Sequence, residues 1–176
     1  MKNLSLTALL GSVVLTGAAW AQTAAPLAPP PATPVNHEFN FWLGDWDVFR
    51  TGTDQKIGDS RVESVSDGYG LQENWTSLGS PITGKSLNSY DAHAHEWQQF
   101  YIASNSGLKI YRGNLVDGKM VLIAESFTLK RFRYLTRGTW TPNADGSVRQ
   151  QFEISIDGGT TWQLNFDGLY KRKPKK

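Results

Sequence analysis

The sequence contains no cysteine among its 176 residues. This absence excludes disulfide bonds, thiol catalysis, iron–sulfur clusters and cysteine zinc sites. Histidine is scarce as well, since only His37, His93 and His95 are present, and this leaves little material for a metal site. A chain without disulfides must be stabilised by a hydrophobic core, so we expect one domain of ordinary size over residues 36–172.

The chain also lacks a strong excess of either charge, with 18 Lys and Arg against 16 Asp and Glu. Much of the positive charge lies in the last six letters, "KRKPKK", and residues 173–176 are expected to form a solvated basic tail. A nucleic-acid-binding surface needs a basic stripe across the fold, and no such stripe is visible. Nucleic acid is therefore not an expected partner.

The N-terminal region has the pattern of a secretory signal peptide. Lys2 is followed by an uncharged apolar run, and Ala19-Trp20-Ala21 matches an A-x-A cleavage site before Gln22. The run is too short, with the wrong flanks, for a membrane span. Residues 1–21 are thus a predicted signal peptide, residues 22–35 an Ala/Pro-rich linker, and the expected location is periplasmic or secreted.

Long helix-period stretches are absent after Trp46, and short segments of alternating polarity recur with turn residues between them. Asp-Gly and Asn-Ser-Gly pairs at the breaks favour tight hairpins. The ten predicted strands are 46–52, 57–66, 71–79, 85–92, 96–104, 108–116, 119–127, 132–141, 147–156 and 161–172. This pattern predicts an all-β fold, an up-and-down antiparallel barrel of about ten strands; a two-sheet sandwich would need longer connections.

The segment "FNFWLGDWDV", residues 39–48, predicts a helical plug ahead of the first strand. Asn36 is a candidate N-cap and Gly44 a candidate C′ residue, so we expect a short helix over residues 37–43. Its apolar side would close one end of the barrel, with the first tryptophan of strand one pointing inward beneath it. The expected plug consists of Phe39, Trp42, Leu43 and Trp46.

Gly44-Asp45-Trp46 resembles the G-x-W signature of lipocalins and the wider calycin barrels. The chain is more closely similar to a family of bacterial lipocalin-like domains that open with F-x-F-W-x-G-x-W; "LQENW", "KSLNSYD", "EWQQFYI", "RGTW" and "FDGLY" are also similar. The resemblance implies a lipocalin-like barrel in which Lys171 or Arg172 covers the G-x-W tryptophan. It implies no activity.

Several polar residues fall on otherwise apolar strand faces, namely Glu73, Gln99, Arg112 and Gln150. Because a buried charge is costly unless it is paired, we expect Glu73 to pair with Arg112. These groups would converge on a ligand cavity lined by Trp75, Trp97, Tyr101 and Phe152. In the last strand the expected inward residues are Trp162, Leu164, Phe166 and Tyr170. The alternative is a purely structural polar network, or trapped water, and a bulge would turn any of these side chains outward.

Two short motifs point to weaker possibilities. "SIDGGTTW", residues 155–162, resembles the S-x-D-x-G-x-T-W box of sialidase propellers, but it occurs once, so Asp157 is expected only to cap a turn. "YDAHAHE" places Asp91, His93 and His95 at period two, a weak candidate metal site if the segment is extended. No His lies on a strand interior for haem, and no phosphate loop or nucleophile motif is present, so the sequence indicates no cofactor.

Three functions are compatible with these features. The first is an exported barrel that binds a small, partly apolar molecule. The second is an isomerase or cyclase that uses a buried carboxylate such as Glu73, and the third is a filled barrel that acts as a protein-interaction module. A raised pKa of Glu73 beside an open cavity would favour the enzyme, whereas an ionised Glu73 paired with Arg112 would favour binding or structure. A filled interior would favour the interaction module.

Overall fold

The structure is a computed structural model that describes residues 33–105, 107–128 and 132–174. The predicted signal peptide and nearly all of the predicted linker lie outside these residues, as do the last two lysines of the basic tail. In the described part of the chain, the helices are too short or too polar to cross a membrane.

Ten antiparallel strands form a closed barrel in which neighbours along the chain are neighbours in the sheet, and β1 pairs with β10. The strands are β1 Gly44–Arg50, β2 Lys56–Val65, β3 Gly70–Ser77, β4 Thr83–Asp91, β5 Glu96–Ala103, β6 Leu108–Val116, β7 Lys119–Phe127, β8 Arg133–Pro142, β9 Val148–Ser155 and β10 Gln163–Arg172. The predicted up-and-down, lipocalin-like barrel is therefore confirmed, and the sandwich is not formed.

Local turn chemistry explains why the strands pair in chain order. Asp117 and Gly118 form the two-residue connection between β6 and β7, and both have positive φ, at 49° and 74°. This is the type I′ geometry that matches the twist of a hairpin. Asp157 caps the turn between β9 and β10, as predicted, because its carboxylate accepts hydrogen bonds from Thr161 N at 2.9 Å and Ser155 Oγ at 2.7 Å.

The segment before β1 forms two short 3-10 helices, Pro34–His37 and Asn40–Trp42, instead of the single helix predicted over residues 37–43. The break falls at Phe39, whose φ of −96° and ψ of 1° lie outside the helical range. Asn36 lies inside the first helix and accepts a hydrogen bond from Thr33 N at 2.9 Å, so its predicted role as an N-cap is wrong. Gly44 begins β1 and is not a helix C′ residue.

The two short helices nevertheless bring large rings into the barrel, and Phe39, Trp42 and Trp46 are fully buried. The ring of Phe39 stacks on that of Trp42 at 5.1 Å and meets Trp140 edge-on at 5.3 Å. The indole of Trp46 donates a hydrogen bond to Trp42 O at 2.9 Å, which ties β1 to the helical segment. One end of the barrel is therefore filled by aromatic packing.

Arg172 at the end of β10 covers this plug from outside. Its guanidinium lies 4.5 Å from the ring of Trp46 and donates a hydrogen bond to Leu43 O at 3.0 Å. Gly44 has a φ of +145°, and a Cβ there would lie 2.5 Å from Arg172 Nη1, so the position requires glycine. Of the two candidate basic residues, Arg172 covers the tryptophan, while Lys171 lies over Phe49 at 4.9 Å.

We expect Trp46→Ala to lower the free energy of unfolding by about 3–5 kcal/mol, because it empties a fully buried aromatic site beside the plug. Asp45→Ala is the matched control, because the Asp45 carboxylate is mostly exposed. Its ion pair with Arg61, at 3.7 Å, lies on the surface and contributes about 1 kcal/mol at most. Chemical denaturation measures both changes. Equal losses would show that the Trp46 side chain does not hold the plug in place.

Candidate functional site in the barrel cavity

The half of the barrel away from the plug contains a cavity of about 350 Å³. Its position follows from β5, where Trp97 near the start of the strand contacts the plug and Tyr101 near the end lines the cavity. Five aromatic side chains form most of the wall: Trp75, Tyr101, Tyr111, Phe152 and Phe166. The volume falls at the small end of the range that is usual for small-molecule sites.

Six of the eight residues predicted for the cavity line it, and the other two lie elsewhere. The six are Glu73, Trp75, Gln99, Tyr101, Gln150 and Phe152. Trp97 is fully buried but lies toward the closed end, where its ring meets Phe39 at 5.7 Å and its indole donates to Glu38 Oε2 at 3.3 Å. It therefore belongs to the plug contacts and not to the cavity wall.

Arg112 lies on the outside of the barrel, which contradicts the prediction. Its side chain is 56% exposed, and Nη1 is 2.8 Å from Glu96 Oε1. The predicted pair between Glu73 and Arg112 is therefore wrong, because the two side chains lie on opposite sides of the wall.

The error comes from the choice of face in β6. Leu108 and Ile110 share the face of Arg112 and make it resemble an inner face, but both are exposed on the outer wall. The alternate positions, Lys109 and Tyr111, point into the cavity. β6 thus has apolar residues on both faces, and alternation alone does not decide which face is inside.

A bulge in β10 changes the faces of the last strand. The register with β9 shifts between Leu164 and Phe166, so Phe166 lies in the cavity wall while Leu164 is exposed. Trp162, also expected inside, lies against the outward guanidinium of Arg137 at 4.2 Å. The predicted inward positions of Leu164 and Trp162 are therefore wrong, because one extra residue in the strand reverses the alternation before it.

The cavity floor is a network of buried polar side chains around Glu73. Ser60 Oγ donates to Glu73 Oε1 at 2.9 Å, and the hydroxyls of Ser86 and Tyr170 lie close enough to this carboxyl group to oppose the rise in its pKa. Tyr170 in addition donates a short hydrogen bond to Gln150 Oε1.

Asn88 continues the network toward β5. Gln99 Nε2 donates to Asn88 Oδ1 at 2.7 Å, and Asn88 Nδ2 donates to Leu71 O at 3.1 Å. These bonds explain how two amide side chains are accommodated inside the barrel, since buried polar groups must be hydrogen-bonded.

Burial raises the pKa of Glu73 to about 7, against the opposing effect of the hydroxyl hydrogen bonds. The pKa of Tyr170 is also raised well above its usual value, first by burial and then by the nearby Glu73. Without a cation beside it, the carboxyl group of Glu73 keeps its proton to a higher pH than an exposed glutamate does.

Four inward-facing glycines receive the rings of the wall. A Cβ at Gly84 would lie 2.4 Å from the hydroxyl of Tyr101, and one at Gly58 would lie 2.2 Å from the ring of Trp75. Gly138 has the same relation to Phe152, and Gly168 to Phe166, each at 2.7 Å. The rings therefore lie against these glycines, which leaves the centre of the barrel open.

Other depressions lie away from the centre of the barrel. One is on the outer wall beside Leu87, Phe100 and Ile110, and another is at the rim beside Tyr134 and Ile154. Neither has a buried carboxyl group at its base, so the interior cavity is the stronger candidate site.

The weak metal candidates lie in the turn between β4 and β5. Asp91 Oδ1 accepts hydrogen bonds from the backbone of His93 at 2.9 Å and Ala94 at 3.1 Å, which lowers the pKa of Asp91. The segment is a turn and not the extended strand that would align Asp91, His93 and His95. Within residues 33–105, 107–128 and 132–174 the structure places no three His, Asp or Glu side chains together in a metal-binding arrangement.

Comparison of the chain with known protein families and with curated proteins gives no match. The resemblance to bacterial lipocalin-like domains therefore stays a prediction from the motifs.

Sequence reasoning missed much of the cavity floor and one charged group in the wall. In β4 the inward positions are Gly84, Ser86 and Asn88, while Leu87 is exposed on the outer wall. The register between β3 and β4 places Ser86 directly beside Glu73. Pairing the two predicted strands in this register would have identified Ser86 as a neighbour of Glu73. The missed residues that matter most are Ser60, Ser86, Asn88, Lys109, Tyr111 and Thr136, whereas Tyr170 lies on the inner face as expected.

We expect Glu73→Gln to stabilise the protein at neutral pH. Because the pKa of Glu73 is about 7 in the fold and near 4.5 in the unfolded chain, the wild type loses stability as pH rises from 4.5 to 7. Above that window the loss is constant at roughly 3 kcal/mol. Chemical denaturation at a series of pH values measures the free energy of unfolding of both proteins. The variant should become progressively more stable than the wild type as pH rises through this window.

Glu63→Gln is the control for this pH series, because Glu63 is exposed on the outer face of β2 and paired at 2.8 Å with Arg61. The free energy of unfolding of Glu63→Gln should stay close to that of the wild type at every pH of the series. A Glu73→Gln gap that does not change between pH 4 and pH 8 would mean that Glu73 ionises in the fold as readily as in the unfolded chain.

Proposed function

We propose that this barrel binds a small, partly apolar molecule in its interior cavity. The observation that carries the proposal is that the barrel is filled by aromatic packing at one end only. At the other end an unfilled volume with aromatic walls lies over a floor of hydrogen-bonded polar groups. Apolar walls with a few convergent polar groups are the usual composition of a small-molecule site.

The open cavity also separates this proposal from the interaction module, which requires a filled interior. Export to the periplasm or the medium is part of the proposal, and it is supported by the N-terminal sequence pattern alone. An exported protein of this kind would meet its ligand outside the cytoplasm.

The experiment is a fluorescence titration with the neutral dye N-phenylnaphthylamine, which brightens in apolar surroundings. Tyr101 and Phe100 are neighbours on β5 that lie on opposite sides of the wall, since Tyr101 lines the cavity and Phe100 lies on the outer face. We expect one equivalent of dye to bind, and Tyr101→Ala to weaken the affinity about tenfold through the lost ring contact.

Phe100→Ala is the matched control and should leave the dye affinity unchanged. The reverse result, with Phe100→Ala weakening binding and Tyr101→Ala without effect, would place the dye on the outer wall. That result, or no binding at all, would contradict the proposal.

A second candidate is a proton-transfer enzyme, and the state of Glu73 favours it. Its carboxyl group lines an open cavity, its pKa is raised to about 7, and its predicted partner Arg112 pairs with Glu96 instead. A general acid or base is most effective when its pKa lies near the working pH. Glu73 would take a proton from carbon in one position of a substrate and return it to another, as an isomerase requires.

Solvent deuterium exchange at carbon, followed by NMR on a panel of small ketones, tests this candidate. Faster exchange with the wild type, lost in Glu73→Gln but kept in Glu63→Gln, would support proton transfer. Equal exchange rates with the wild type and Glu73→Gln would leave Glu73 as a structural group in the floor of a binding site.

A further inference from the structure

One cation points into the cavity, on the inner face of β6. Lys109 lies in the cavity wall, and its Nζ donates a hydrogen bond to Thr136 Oγ1 at 2.9 Å. The ammonium group also lies 5.4 Å from the centre of the Tyr134 ring. An ammonium group has three donors, and a threonine hydroxyl satisfies one of them.

No Asp or Glu side chain neutralises this cation. All 16 acidic residues lie within the described ranges, and none of them forms an ion pair with Lys109. Lys85, Lys119 and Lys171 also form no ion pair, but these three side chains are exposed to water, whereas Lys109 is partly buried. Lys109 is therefore a partly buried charge without a counter-ion in the described fold.

This arrangement is costly for the free protein. Partial burial disfavours the charged amine and lowers the pKa of Lys109. An anionic group placed beside Nζ would remove that cost, because a paired and hydrogen-bonded charge is tolerated in a partly buried site. The Glu73 carboxyl group, which retains its proton up to a pH of about 7, opposes such an anion only weakly.

The barrel wall leaves room beside Lys109. The ladder between β6 and β7 runs from the Val116–Lys119 pair to the Arg112–Ile123 pair and stops there, although the strands continue to Leu108 and Phe127. The inward residue of β7 opposite Thr136 is the small Ala124. Lys109 therefore lies where β6 and β7 are no longer paired, near the open end, and its side chain keeps partial contact with water.

We infer that the ligand of this cavity is a small amphipathic monoanion, with a carboxylate bound by Lys109 and Thr136 near the mouth and an apolar body between Trp75, Phe152 and Phe166. This inference rests on the proposed binding function and adds the chemical class of the ligand. The polar groups around Glu73 would then either contact the far end of the ligand or serve only to stabilise the fold.

The test uses decanoate and decanol as competitors of N-phenylnaphthylamine, because the two share one apolar chain and differ in the charged group. With the wild type we expect decanoate to displace the dye at lower concentration than decanol. Lys109→Met should reduce that preference about tenfold, the usual effect of losing a hydrogen bond to a charged group. The preference is a ratio of two competitor affinities, so a change in dye affinity does not alter it, and chemical denaturation shows that the variant folds.

Lys85→Met is the matched control, since Lys85 is an exposed lysine on the outer face of β4, and Lys109→Arg should retain the preference for decanoate. An equal preference in the wild type and Lys109→Met, or a wild type that takes decanol as readily as decanoate, would overturn the inference and leave the binding function intact. Failure of the wild type to bind the dye would overturn the binding function itself, and the inference with it.

Discussion

The structure depends on the pairing of the first strand with the last. β1 and β10 meet along five residue pairs, and at the end of this seam Arg172 covers Trp46 and bonds to Leu43 O. The seam leaves the described sheet without an open edge and fixes the helical segment over one end of the barrel. Without it the aromatic plug would lose its contacts with Trp46 and Tyr170, so barrel closure and packing of the plug depend on each other.

The side chains do not fill the interior of the closed barrel evenly, and the two ends differ in how they are packed. At the closed end, rings from three parts of the chain pack on one another around Phe39. At the other end, polar groups satisfy one another in the floor and leave a space above it. The aromatic packing at the closed end stabilises the fold. Because the cavity lies at the other end, the cost of burying the Glu73 carboxyl group there is tolerated.

The strand order and most of the strand boundaries could be predicted because each hairpin turn and each alternation is a local signal. β6 and β7 have the predicted bounds, Leu108–Val116 and Lys119–Phe127. The site was harder, since it depends on which face of each strand turns inward. In β6 both faces carry apolar residues, and in β10 a bulge reverses the face at Leu164. Tertiary pairing decides both, and neither is encoded within the strand itself. Glu73, Gln99 and Gln150 were found because large apolar neighbours flank them on an unambiguous face.

The glycines under the wall rings have a consequence for how selectivity could change. Gly58, Gly84, Gly138 and Gly168 each lie beneath a ring of the wall, so a single added methyl group would push that ring toward the centre. The shape of the cavity thus depends on glycines that a ligand would not contact. Variation among related barrels could resize the chamber by trading glycine for alanine while every contacting side chain stays the same. Comparing the lining residues alone would then miss the difference.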